Sequence, residues 1–287
     1  MSTPPIHNIA IVVRPGSTDT LSEGGIIRQW LKTRGVTSTV ATTDNPRLRK
    51  KIDGGEFDLL IALGGDGTML RAGHLAAPKG LPILGINLGK FGFLMQLSRD
   101  DWLATLPRLL EGDYKIENRM MLQAQLWRGD SLMATHQVIN EVVVARGQVV
   151  RPIRIHAAVD GYPLAGYVAD GLIASTPTGS TAYALAVGGP IMPPELRNIL
   201  IMPVAPHLSM DRAVILPEGA SVVITVDSDH EAVMSVDGHE PALISNKDRV
   251  TVTASELSVQ FVVFQDPGYF YRNLSNYMEQ NPSIGDF

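Results

Sequence analysis

Residues 57–77 read FDLLIALGGDGTMLRAGHLAA, and this stretch decides the fold. Residues 57–63 form an apolar run of strand length. The run passes directly into Gly64-Gly65-Asp66-Gly67-Thr68, and the spacing beyond predicts a helix over residues 69–77. Three glycines in a strand-to-helix turn let a ligand approach the backbone closely. N–H groups there and at the start of the helix can cradle a phosphate. Asp66 can accept a proton from an attacking hydroxyl, or hold Mg²⁺ directly or through water. An ordinary glycine-rich turn with a capping Asp has the same composition. The stretch is not a P-loop, because no Lys-Ser/Thr follows, and it is not a GxGxxG fingerprint.

Outward from this unit, strand and helix patterns alternate through residues 1–115. Residues 9–13 read as a buried strand, 21–34 as a helix stopped by Gly35, and 36–40 as a strand. Ile26, Ile27, Trp30 and Leu31 share helical spacing in that first helix. Arg47 to Ile52 reads as a short basic helix or loop, with a solvated face or an anion site as its two readings. Residues 81–87 form the next strand. Ser98 and Asp101 resemble a capping box before residues 102–110, where Pro107 can kink or split the helix. Such alternation predicts an α/β domain with a Rossmann-like layered sheet.

Near residue 116 the period changes to two. Met120, Leu122, Ala124 and Leu126 alternate with polar neighbours, as do Ile153, Ile155, Ala157 and Val159. Residues 222–226, 233–236 and 259–264 are further β-type runs, and Asp160-Gly161 and Asp237-Gly238 are hairpin turns. Residues 116–265 are therefore expected to form a β-rich, β-sandwich-like domain. The aromatic tail, residues 266–287, is expected to pack back on a domain.

Composition narrows the function classes. The 287 residues carry 24 Lys+Arg against 29 Asp+Glu, a net charge of −5, which gives no basic footprint for nucleic acid. The absence of cysteine excludes disulfides, thiolate metal sites and a cysteine nucleophile. Seven histidines lie at spacings that suggest no metal site. No secretory leader and no membrane-length apolar run is read, so a soluble cytoplasmic protein is expected.

Two more stretches carry chemistry. Asp170 to Tyr183 reads DGLIASTPTGSTAY, and its hydroxyl residues Ser175, Thr176, Thr178, Ser180 and Thr181 suit a polar, flat ligand or a loop capping a helix near Thr181. Asn140-Glu141 interrupts the apolar run 138–144, which requires partners for the pair or an exposed edge.

GGDGT, Asn-Glu and DGLIASTPTGSTAY, in this order and over nearly the whole chain, resemble the NAD kinase family, and its bacterial type in particular. GGDGT is shared with lipid kinases and phosphofructokinases; STPTGSTAY is the more specific. The resemblance implies phosphorylation of the adenosine-ribose 2′-hydroxyl of NAD by ATP, or by polyphosphate in some bacterial members, with a divalent metal, Mg²⁺, carried mainly by ATP. It implies Asp66 as general base and Gly64, Gly65, Gly67 and Thr68 as the phosphate-binding turn. It implies NAD binding by Asn140, Glu141, Asp170, Ser175, Thr178, Thr181, Ala182 and Tyr183. Phe93, in GINLGKFGF (85–93), would wall the adenine. Asp237 is either a further NAD ligand or simply part of its hairpin turn. The resemblance also implies a homodimer or homotetramer, and an active site in the crevice between the two halves. Two alternatives are a GGDGT kinase with a lipid substrate and a non-catalytic NAD(H) sensor.

Overall fold

The computed structural model describes residues 5–89, 92–207, 210–264, 270, 271 and 274. Two compact units divide it: unit 1 is Met1–Asn118 with the chain from Val259 on, and unit 2 is Arg119–Ser258.

Unit 1 opens with β1 (Asn8–Val13), α1 (Thr18–Lys32), β2 (Thr37–Thr42), α2 (Pro46–Asp53), β3 (Leu59–Gly64), α3 (Asp66–Ala76), β4 (Ile83–Asn87), β5 (Leu97–Ser98) and α4 (Trp102–Leu110). Its parallel strands run β2-β1-β3-β4, with β5 also beside β4. All six residues of β3 are buried, as expected of a parallel strand covered on both faces. The strand order reverses between β1 and β3, and Gly64 ends β3 at this switch point. Open α/β sheets bind their ligands at the carboxyl ends of strands at such a point.

Local chemistry sets the helix ends. Ser17 Oγ accepts from the Thr20 N–H at the start of α1. Asn45 Oδ1 accepts from Arg47 and Leu48, with Pro46 opening α2. Leu48 and Ile52 are buried in α2, while Arg47, Arg49, Lys50 and Lys51 all face solvent. In α1 the buried stripe is Thr20, Gly24, Ile27 and Leu31, and Ile26 is exposed. Rotation of 100° per residue turns Ile26 away from the face that Ile27 buries. Helix α4 runs unbroken through Pro107. The Ser98 N–H does reach Asp101 Oδ2, but the helix starts only at Trp102, a turn later than a capping box at Ser98 requires.

Unit 2 is a pair of antiparallel sheets. Its strands are β6 (Lys115–Arg128, entered from unit 1), β7 (Ser131–Val138), β8 (Glu141–Arg146), β9 (Ile153–Val159), β10 (Tyr162–Ala169), β11 (Gly171–Ser175), β12 (Asn198–Val204), β13 (Val214–Pro217), β14 (Val222–Asp227), β15 (Ala232–Val236), β16 (Ala242–Ile244) and β17 (Arg249–Val263). A four-residue helix, α5 (Tyr183–Ala186), follows a 3-10 turn at Thr178–Thr181. One sheet contains β10-β9-β14-β17 with β6 and β7; the other runs β13-β12-β11-β8-β15-β16. A single core draws on both: Leu122, Ile155 and Ile224 from the first meet Val144, Leu172 and Ile201 from the second. This is the β-sandwich that the period-two alternation predicts. Asp160 (φ +52) and Gly161 (φ +83) join β9 to β10 as the hairpin expected there.

The unit boundary falls at 118/119, close to residue 116 where the period changes, and one reading needs correction: residues 259–263 belong to unit 1, not to the β-rich half. Phe261 pairs in parallel with Ile83 of β4. An apolar β run looks the same whichever sheet receives it, so composition could not assign it. The expected packing of the tail 266–287 lies, apart from residues 270, 271 and 274, outside the described residues, as do Lys90 and Phe91.

Candidate active site

In unit 1 the glycine turn delivers Asp66 as the first residue of α3, three residues earlier than the apolar spacing predicts. Gly65 caps the helix, and its carbonyl accepts from the N–H of Thr68 at 2.8 Å. Thr68 is buried against Gly64, while Gly67 is exposed. The Asp66 carboxylate accepts the Phe93 N–H at 2.9 Å and the Leu94 N–H at 3.1 Å. Phe93 is thus brought to Asp66 by its backbone, with its side chain half-buried. Gly92 is required beside it: a Cβ there would collide with the Asp66 carboxylate. The segment after β4 therefore holds the acid in one orientation at the mouth of a helix whose first N–H groups point at any anion placed there.

In unit 2 the run 138–144 is not one strand. β7 ends at Val138 and β8 begins at Glu141, with a corner between them. The cause is Asp237. Its Oδ2 accepts from the Ile139 N–H at 2.8 Å, and its Oδ1 from Asn140 at 2.8 Å and Glu141 at 3.1 Å. Three N–H groups are captured by one carboxylate instead of a neighbouring strand. The Asp237-Gly238 turn itself forms as expected, at φ +50 and +70, with the His239 N–H donating to Val236 O.

The hydroxyl-rich stretch packs on that corner. Thr176 Oγ1 donates to Ile139 O at 2.6 Å and accepts from the Gly179 N–H, and Ser175 Oγ donates to Asn140 O at 3.0 Å. A Cβ on Gly179 would collide with the Asn140 backbone. Ser180 Oγ donates to Pro177 O and accepts from the Met192 N–H, and Thr181 Oγ1 donates to Thr178 O. Most of these hydroxyls are therefore used in shaping the turn. No side chain caps the short α5, so the helix-capping reading does not hold. Ala182 is half-buried and Tyr183 exposed.

Three polar atoms are left over in this region. Asn140 Oδ1, Glu141 Oε2 and Thr178 Oγ1 are all buried without a hydrogen-bond partner. Glu141 is 7% exposed, and burial, with the Asp237 charge beside it, pushes its carboxyl up to about 8 against the pull of the Tyr183 N–H. Glu141 is therefore a neutral acid at pH 7. Asp170, between β10 and β11, pairs with Arg146 Nε at 3.0 Å. Arg146 carries no signal in the sequence alone; the register of β8 and β11, with Ala145 opposite Gly171, brings it to Asp170.

Family profiles match both halves: one described as ATP-NAD kinase N-terminal domain covers residues 33–114, and one described as ATP-NAD kinase C-terminal domain covers 139–264. The chain belongs to the ATP-NAD kinase family. The NAD kinase of Heliobacterium modesticaldum is 37% identical over 281 residues, covering 95% of this chain and 98% of that protein. The NAD kinase of Chloroflexus aurantiacus is 35% identical over 94% of this chain and 97% of that protein. An NAD kinase from Archaeoglobus fulgidus, solved in complex with ATP, matches with a TM-score of 0.76 and 25% identity over 97% of this chain and 100% of that one. Yeast NADH kinase, solved with NADH, shares the fold: TM-score 0.84 and 24% identity over 99% of this chain and 90% of that one. These matches support neither the lipid-kinase nor the sensor alternative.

Proposed function

We infer that this chain is an NAD kinase, transferring the terminal phosphoryl group of ATP to the adenosine-ribose 2′-hydroxyl of NAD to give NADP. The observation that carries the reading, beyond family membership, is the set of buried polar atoms without partners at Asn140, Glu141 and Thr178. Buried polar atoms are almost always hydrogen-bonded, to protein or to water, so these open atoms on and beside one corner suit a ligand rich in hydroxyl and amide groups. A dinucleotide supplies both.

The reading divides the work. Unit 2 recognises the acceptor: Asn140, Glu141 and Thr178 present the open atoms, with Ser175, Thr181, Ala182 and Tyr183 in the stretch that packs on them, while Asp170 stands at the other end of β11, beside Arg146, and would meet a different part of the dinucleotide. Unit 1 performs the transfer. The N–H groups of Gly65 and Gly67 suit the phosphates of the donor, the Thr68 N–H being already bonded to the Gly65 carbonyl. Asp66 orients the ribose hydroxyl and takes its proton as the O–P bond forms, the leaving ADP carrying away the displaced electron pair. A ribose hydroxyl is a weak nucleophile, but phosphoryl transfer demands alignment and charge neutralisation more than full deprotonation.

Among the described residues no three His, Asp, Glu or Cys side chains gather as a metal centre. Asp66 is the one acid at the phosphate turn, and two backbone N–H groups already engage it. The residues therefore suit a metal that arrives on the nucleotide as part of the substrate, where it neutralises charge on the phosphates. Polyphosphate would serve the same turn as donor. The family resemblance further supports a homo-oligomer, dimer or tetramer, which sedimentation of the full chain would establish. No described helix is long and apolar enough to cross a membrane.

The test is NADP formation from NAD and MgATP, read by an NADP-specific dehydrogenase, with Asp66→Asn beside the wild type. The wild type should form NADP. The variant should lose about 10²–10⁴ in rate and still bind NAD. Folded wild-type protein that binds NAD but forms no NADP with ATP or polyphosphate would sink the reading.

A further inference from the structure

Asp237 stands in the turn after β15 and is only 8% exposed. Its left-handed backbone is one that Asn, Asp and Gly all adopt. The turn alone therefore does not explain an aspartate. The donors around it do. The N–H groups of Ile139, Asn140 and Glu141 converge on its two oxygens, and its own N–H donates to Glu141 O at 3.0 Å. Three converging donors call for a side chain that only accepts, and an ionised carboxylate is that group. Gly would leave the three N–H groups without this acceptor, and Asn would set an NH₂ against at least one of them.

Both oxygens are thus engaged by the backbone of the residues that bear the open polar atoms. We propose that Asp237 is a positioning residue for the acceptor site: it fixes the Asn140–Glu141 corner in the conformation that offers both side chains to NAD, and does not itself touch the dinucleotide. This rests on the reading of Asn140 and Glu141 as NAD-binding, and replaces a ligand role for Asp237 with an indirect one.

The charge of Asp237 acts on the same corner. Desolvation chiefly, and the Asp237 carboxylate with it, keep Glu141 protonated at neutral pH; the Tyr183 N–H from α5 acts in the opposite sense. Ser175, opposite Glu141 on β11, is uncharged. The pH profile of NAD binding should therefore contain an inflection from Glu141 that Asp237 helps to place.

The experiment uses the full chain, with the KM for NAD at saturating MgATP and the KM for ATP at saturating NAD, each from pH 6 to 10. Asp237→Asn should raise the KM for NAD tenfold or more and leave the KM for ATP within twofold. Its inflection should move to lower pH, because a neighbouring negative charge is gone. Asp237→Glu keeps the charge but is too long for the three bonds. It should raise the KM for NAD with the inflection near its wild-type place, and it carries the test if the Asn variant does not fold. Glu141→Ala tests the underlying reading: it removes the polar atoms altogether and should raise the KM for NAD and abolish the inflection. An unchanged KM for NAD in Glu141→Ala overturns the NAD-site reading itself. A raised KM there, with wild-type KM values in the Asp237 variants, overturns the positioning role alone. Equal rises for NAD and ATP with an unmoved inflection also overturn it, leaving Asp237 a role in stability only.

Discussion

The two carboxylates at the centre of this account, Asp66 in unit 1 and Asp237 in unit 2, do the same thing with different consequences. Each accepts backbone N–H bonds from a segment far along the chain. Asp66 takes two, from Phe93 and Leu94, and Asp237 takes three, from residues 139–141. Asp66 stays partly exposed at a helix mouth, whereas Asp237 is buried. A carboxylate left partly open to solvent can meet a substrate; one enclosed by its own donors can only shape what does. On the proposed function, the same bond type serves chemistry in one unit and architecture in the other.

The largest test of this contrast is pH. Glu141, beside the enclosed carboxylate, has its folded-state pKa raised from 4.5 to about 8. A raised acid contributes no penalty while it is protonated in both states, below about 4.5. As pH rises towards 8, the unfolded chain has lost the proton and the folded one keeps it, so stability falls. The loss is about 1.4 kcal/mol per pH unit, or about 5 kcal/mol across that window, and levels off above it. Denaturant unfolding of wild type against Glu141→Gln should show the variant gaining on the wild type over this window. Parallel curves would mean that Glu141 ionises freely and the corner is not as enclosed as described.

Gly92→Ala comes next. Its methyl group would collide with the Asp66 carboxylate and turn it from its place. A misplacement of about 1 Å at a reacting group lowers the rate by about 10²-fold. Steady-state kinetics should show that loss in kcat, with the KM for NAD little changed. A wild-type kcat would show that the orientation of Asp66 is not what matters.

The smallest is Gly179→Ala, the matching change in unit 2. Its methyl group would meet the backbone of Asn140, which cannot swing aside as a carboxylate can. Overpacking of this kind destabilises by about 1–3 kcal/mol. The midpoint of unfolding should fall, and the KM for NAD should rise as the corner shifts. A change in kcat alone would place this turn with the transfer chemistry and blur the contrast.

The same contrast explains what was legible in the sequence. Strand β3, the turn and α3 could be read because the apolar run, the glycines and the helix are contiguous in residues 57–77. The sandwich was legible from alternation, strand by strand. The break between β7 and β8 was not, because its cause lies 96 to 98 residues away at Asp237. Nor was the return of residues 259–263 to unit 1, since a run of three valines with Phe261 fits either sheet. The start of α3 is hidden from hydrophobic spacing, which begins at Met69, because the helix begins three residues earlier at its polar end. Asp237 itself was legible as a turn residue, but its three donors were not.

The division of labour between the units is the central claim, and one comparison tests it most directly. Asp66→Asn and Glu141→Ala should be carried through the same NADP-forming assay, with kcat and the KM for NAD measured for each. Asp66→Asn should lose kcat with the KM for NAD nearly intact, and Glu141→Ala should raise the KM for NAD with kcat nearly intact. If the two variants fail in the same parameter, or in the opposite ones, the assignment of transfer to unit 1 and recognition to unit 2 is wrong.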